Sequence, residues 1–162
     1  MRRDTAPDLY GGAIADTVEQ GMKLKDDIGW LRICERAKSA LADLPASTIL
    51  AGFSMGCGVV ASVWPSRPET KGILLLHALA EIPSAMDLAG LRVQLRVGEY
   101  DDFWPAEELA NWQAEAKRAK IAAELFVYSD AGHFYTDGSA AEHQTTAADQ
   151  TWERVLRFLD EV

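Results

Sequence analysis

The sequence predicts an α/β fold, a mostly parallel sheet sandwiched between helical layers. Three observations predict it. Four short apolar runs, residues 48–53, 72–77, 91–97 and 123–128, read as strands. Segments with apolar residues at helical spacing alternate with them. The chain has 162 residues, 48% of them apolar and 25% charged, which suits one domain spanning 1–162 with a real core. Strands alternating with helices pair in parallel through right-handed crossovers, and both sheet faces are then covered.

Each element has its own justification. Residues 26–44 place Trp30, Ile33, Cys34, Ala37, Leu41 and Leu44 on one helical face, and Pro45 is expected to stop that helix. The run 48–53 is the first strand. Residues 54–63 form the next helix, which Trp64-Pro65 ends. The runs 72–77 and 91–97 are the second and third strands. Residues 105–120 carry Leu109, Trp112, Ala116 and Ala119 on one stripe, with Pro105 suited to a first helical turn. The fourth strand is 123–128. A last helix over 147–159 is expected to turn Trp152, Val155, Leu156 and Leu159 to the core.

Charge and residue usage exclude several classes. A formal net charge of −9 disfavours nucleic acid and anionic membranes as partners. The longest apolar runs are far shorter than a membrane span. Met1-Arg2-Arg3-Asp4-Thr5 leads into no apolar stretch of the secretory kind. Cys34 and Cys57 form no disulfide framework or metal spacing, and His77, His133 and His143 are scattered. The expectation is a cytoplasmic protein with no metal, no cofactor and a small-molecule partner.

The most informative stretch is Gly52-Phe53-Ser54-Met55-Gly56. It sits between the first strand and a small-residue helix, the context a nucleophile elbow needs. A strained turn there lifts the Ser54 hydroxyl clear of the sheet. It also sets the Met55 N–H at a helix N-terminus, facing a developing oxyanion. Glycine on both sides is expected to let strand and helix approach closely. The bland reading is a strand–turn–helix connection with a capping serine.

In a parallel sheet, functional groups gather in the loops after the strands' carboxyl ends. Glu99, Asp101 and Asp102 follow the third strand, and His133 follows the fourth. A serine hydroxyl is a weak nucleophile and needs a base. A histidine can take its proton and return it to the leaving group. A carboxylate fixes the imidazole tautomer. Asp101 and Asp102 compete for that role, since one of them can cap the helix near Pro105. Glu81 is a weaker candidate acid. His77 reads as a packed or hydrogen-bonded residue, His143 as solvated, and Cys57 as core packing. Phe53, Phe103, Trp104 and Phe134 are candidates to line an apolar substrate pocket, or else core anchors.

Four pieces of the chain resemble the dienelactone hydrolase family of α/β-hydrolases. They are Ala6-Pro7-Asp8-Leu9-Tyr10-Gly11, the elbow, Gly98 to Pro105 with Asp101 inside it, and Tyr128 to His133. The resemblance implies an α/β-hydrolase fold with Ser54 as nucleophile, Asp101 rather than Asp102 as acid, and His133 as base. It implies Met55 in the oxyanion hole and needs no cofactor.

Two departures shape the expectation. Family members that act on dienelactone characteristically carry a cysteine at the elbow, whereas this chain has Ser54, which favours a general carboxylesterase or lactonase. In the family the Pro-Asp-Leu-Tyr piece follows upstream strands, but here it begins at Pro7. The resemblance therefore implies a sheet lacking the family's N-terminal strands and the loop that supplies a second oxyanion donor and a nearby carboxylate. Three explanations compete: a misassigned start, a short form that completes its sheet as a homodimer, or a decayed enzyme. The first is preferred, because selection does not ordinarily cut a sheet through its middle. A rival from another class is a non-catalytic hydrolase-like module that binds a partner through its open edge.

Overall fold

The computed structural model describes residues 4–162. The chain divides into two compact units, residues 1–45 and 46–162.

The first unit holds two helices, α1 (Val18–Ile28) and α2 (Trp30–Leu41). The sequence reading has a single helix over 26–44. The break falls at Gly29, whose φ of +86° is left-handed backbone that ends one helix and starts the next. Helix α1 opens on a side-chain cap and a reciprocal bond one residue ahead of it. The Thr17 hydroxyl accepts the Gln20 N–H, and the Gln20 side chain reaches back to the Asp16 N–H. Helix α2 buries Ile33, Cys34 and Ala37, while Trp30 of the expected face is exposed. Ahead of α1, the Asp8 carboxylate accepts the N–H groups of Tyr10, Gly11 and Gly12. These bonds, that of Gly12 foremost, hold its pKa below the ordinary aspartate value.

The second unit is a four-stranded parallel sheet in the order β1-β2-β3-β4, as the alternation of strands and helices predicts. The strands are β1 (Leu50–Phe53), β2 (Gly72–Leu76), β3 (Arg92–Gly98) and β4 (Ala122–Tyr128). Helix α3 (Met55–Val63) follows β1 and packs against it, and α4 (Ala106–Arg118) packs against β4. A short 3-10 turn at Trp64–Ser66 follows α3. Helix α5 (Thr145–Glu161) lays Val155 and Phe158 on Leu74 and Leu76 of β2. Every residue of β2 is buried, and all of β3 but its first, so these strands are covered on both faces. Strands β1 and β4 are the edges of this sheet.

Helix α5 differs from expectation in phase. Its buried side chains are Ala147, Ala148, Thr151, Val155 and Phe158, and Trp152 and Leu156 of the expected stripe face outward. Ala147, Ala148 and Thr151 share the buried face with Val155 and Phe158, and this rotates Trp152 and Leu156 outward. All four strands run the same way, so the loops after β1, β2, β3 and β4 open at one edge of the sheet.

Candidate active site

The elbow is built by backbone sterics. Ser54 has φ +47° and ψ −116°, a conformation non-glycine residues rarely adopt. Its N–H is tied to the Leu76 carbonyl at 2.8 Å, and its carbonyl accepts the Cys57 N–H at 2.9 Å. A methyl group at Gly52 would lie 2.6 Å from the Cys57 nitrogen and from the Gly56 backbone, so only glycine fits there. Gly56 is different, because a methyl group on it would meet nothing within 4 Å. The close approach is thus one-sided, correcting the expectation that both glycines are required. Cys57 braces the turn from beneath, its buried thiol lying 3.1 Å from the Gly52 carbonyl. Burial pushes that thiol up to about 12, so it is no nucleophile near neutral pH.

Three side chains from three loops meet at Ser54. The Ser54 Oγ lies 2.8 Å from His133 Nε2, and His133 Nδ1 lies 2.7 Å from Asp101 Oδ2. Asp101 is 4% exposed, and its other oxygen accepts the Phe103 N–H at 3.1 Å. Asp102 is exposed, and neither aspartate caps α4, whose N-cap is Pro105. Glu81 and His143 are exposed too.

The His133 loop is placed by long-range contacts. The Glu99 N–H donates to the Tyr128 carbonyl and the Tyr100 N–H to the Ala131 carbonyl, each at 2.9 Å. These bonds lay the loop after β4 against the loop after β3. Gly98 makes that possible. A methyl group there would sit 2.2 Å from the Ala131 oxygen and 2.6 Å from the Gly132 oxygen. From the far side, Glu142 accepts the Phe134 N–H and the Gln144 amide donates to the Ser129 carbonyl.

Aromatic rings surround the imidazole. Phe103 and Phe134 both lie 4.8 Å from the His133 ring, Phe134 edge-on at 90°. Phe103 is 66% exposed, so it forms an outer wall and not a core anchor. Trp104 is half-buried, and its indole N–H donates to the His77 carbonyl at 2.8 Å. Phe53 stacks at 5.9 Å on His77 and at 6.0 Å on Trp152, which lies on the outward face of α5. Met55 is the first residue of α3, directly after Ser54. Two cavities lie elsewhere. One of about 290 Å³ sits at the opposite end of the sheet beside Trp64, Thr70 and Leu91. One of about 700 Å³ lies in the first unit beside Asp8 and Arg36.

Sequence reasoning missed Gly98 and Thr136 as shapers of this site, and read His77 as a packed or hydrogen-bonded residue without placing it at the site. A glycine closing a strand just before an acidic loop was the available signal for Gly98. Nothing local marks the other two. Among the described residues no cluster of three or more His, Cys, Asp or Glu is arranged to hold a metal ion. Nor is any helix among them long and apolar enough to cross a membrane.

A model of the dienelactone hydrolase family matches residues 5–162, across both units. None of the curated proteins matches this sequence. Among solved structures, a candidate dienelactone hydrolase from Klebsiella pneumoniae subsp. pneumoniae MGH 78578 is similar, with a TM-score of 0.68 and 17% identity over 92% of this chain and 69% of that one. A dienelactone hydrolase-like promiscuous phosphotriesterase from metagenomic libraries gives 0.65 and 19% over 91% and 68%. The Bacillus cereus carboxylesterase gives 0.51 and 16% over 77% and 60%. At these identities the likeness is one of fold.

Proposed function

Since this chain belongs to the dienelactone hydrolase family, we propose that it is a serine hydrolase that cleaves a small carboxylic ester or lactone through an acyl-enzyme. One observation carries the reading, the unbroken hydrogen-bond chain from Ser54 Oγ through His133 to Asp101. The family and fold already make the chain a hydrolase of the dienelactone hydrolase type. The serine nucleophile and the ester or lactone substrate are the proposal.

The chemistry follows from the geometry. His133 Nε2 takes the Ser54 proton as Oγ attacks the carbonyl carbon. The Asp101 carboxylate accepts the His133 Nδ1–H, which leaves Nε2 as the free base and stabilises the imidazolium that forms. The Met55 N–H, at the start of α3, stabilises the tetrahedral oxyanion. His133 then protonates the leaving alcohol, or the ring-opened hydroxyl of a lactone, and the acyl group stays on Ser54. A water deprotonated by His133 releases the acid and restores the serine. Phe53, Trp104 and Phe134 contribute apolar surface for the substrate. A structural relative described as a carboxylesterase supports the ester class.

Hydrolysis of p-nitrophenyl acetate tests this. Ser54→Ala should lower kcat by about 10⁴-fold or more with an unchanged circular dichroism spectrum. Undiminished turnover in that variant overturns the assignment. A binding module with no chemistry predicts no turnover in either protein.

A further inference from the structure

We infer that His77 is a positioning residue that holds the Asp101 and His133 loops in register with the Ser54 elbow. The inference rests on the reading just given. His77 follows β2, the strand next to the one that carries Ser54, and it touches all three loops. Toward the elbow, its ring stacks on Phe53 at 5.9 Å, while the preceding residue, Leu76, accepts the Ser54 N–H. Toward the acid loop, its carbonyl accepts the Trp104 indole N–H at 2.8 Å. Toward the base loop, its Nε2 lies 2.8 Å from Thr136 Oγ1, and its ring meets those of Tyr135 at 4.8 Å and His133 at 6.0 Å.

Two costs meet on this one residue. His77 has φ +65°, left-handed backbone that a non-glycine residue adopts against a steric penalty. It is 4% exposed, yet Nδ1 has no hydrogen-bond partner among the described residues. Strained backbone and a buried, unpartnered nitrogen coincide at His77, whose ring lies 6.0 Å from that of His133, and it is this coincidence beside the triad that points to a role there. The ring also has to be neutral to sit beside a base that becomes cationic. Burial, helped by the neighbouring His133, holds it down to about 4. A neutral ring bonded through one nitrogen to Thr136 can fix the His133 loop without competing for its proton.

The test compares wild type with His77→Phe, Thr136→Val, the double variant and His77→Gln. The phenylalanine and valine variants remove the same hydrogen bond from its two ends. The glutamine can restore an amide donor toward Thr136. Each variant is assayed for kcat and KM on p-nitrophenyl acetate. Imidazole nitrogen NMR shifts of His133 report its tautomer and its bond to Asp101. Both single variants should lower kcat by roughly tenfold to a hundredfold at little-changed KM, as misplacement of reacting groups does. The double variant should be no worse than His77→Phe, and His77→Gln should recover most of the loss. The His133 shifts should move in both single variants and return in His77→Gln. Unchanged kcat and unchanged shifts, or losses that multiply in the double variant, overturn the inference. Thr136→Val alone decides it if His77→Phe does not fold. If wild type shows no Ser54-dependent turnover, the esterase reading fails, and the His133 shifts alone still decide whether His77 positions that ring.

Discussion

The loop that carries Ser54 and the loop that carries His133 meet within hydrogen-bonding distance, but they are held by different physics. The elbow is local. Its strain sits on one residue, its tight contact lies between Gly52 and residues 56–57, and its brace is Cys57. The His133 loop depends on residues outside it: Gly98, Glu99 and Tyr100 about thirty positions back, and Glu142 and Gln144 ahead of α5. The elbow's precision is therefore written mostly into residues 52–57, with the Ser54 N–H bonded across to Leu76 of β2, whereas the base loop's precision exists only once the sheet has formed. Disturbing the elbow should damage fold and chemistry together. Disturbing the base loop's supports should damage chemistry first.

The largest effect is expected at the acid. Asp101→Asn keeps the shape of the base loop but cannot hold His133 in the required tautomer, so kcat should fall about 10⁴-fold with little change in Tm. A loss of Tm without a loss of kcat would reverse the comparison on this side.

Acid should weaken the fold through His77. Its folded-state pKa, about 4, lies below its ordinary value of 6.5. Between those values the unfolded chain binds the extra proton, so this contribution is fully present above pH 6.5 and is lost as pH falls toward 4. His133 and Tyr135 are the titratable rings that face it. The loss amounts to about 3 kcal/mol. Urea unfolding at stepped pH should show that slope in wild type and a flatter one in His77→Gln.

Gly98→Ala comes next. Its methyl group would collide with two carbonyl oxygens of the base loop. Displacing His133 by an ångström should cost about a hundredfold in kcat/KM, while stability should fall by less than in Gly52→Ala. Steady-state kinetics and urea melts measure the two. The last pair sharpens the elbow itself and ends on the smallest effect. Gly52→Ala should destabilise by about 1–3 kcal/mol and abolish most activity. Gly56→Ala, with open space around it, should stabilise α3 by about 0.5–1 kcal/mol. Equal melts for the two alanine variants would refute the one-sided elbow.

Much of the sheet was legible, because β2 is an unbroken apolar run and β3 sets the fully buried Val93, Leu95 and Val97 at strand spacing. The two helices of the first unit were not. Helix α1 buries no side chain fully, and its half-buried face at Gly21, Leu24 and Ile28 is interrupted by Lys25, so its apolar stripe is thin. Gly29 looked like an ordinary residue inside a longer helix. Helix α5 kept its period but lost its phase, since Ala147, Ala148 and Thr151 carry little hydrophobic signal. At the site, Ser54, Asp101 and His133 were legible because a parallel sheet gathers the loops after its strands at one edge. His77 was not, because its part depends on a left-handed backbone and on partners from three separate loops.

The central claim is that Ser54 is a nucleophile activated by His133. Fluorophosphonate labelling of the intact chain, followed by peptide mapping, tests it most directly. The account predicts one adduct, on Ser54, formed at a rate that collapses in His133→Ala. An adduct on another residue, or Ser54 labelling that persists without the histidine, would contradict it.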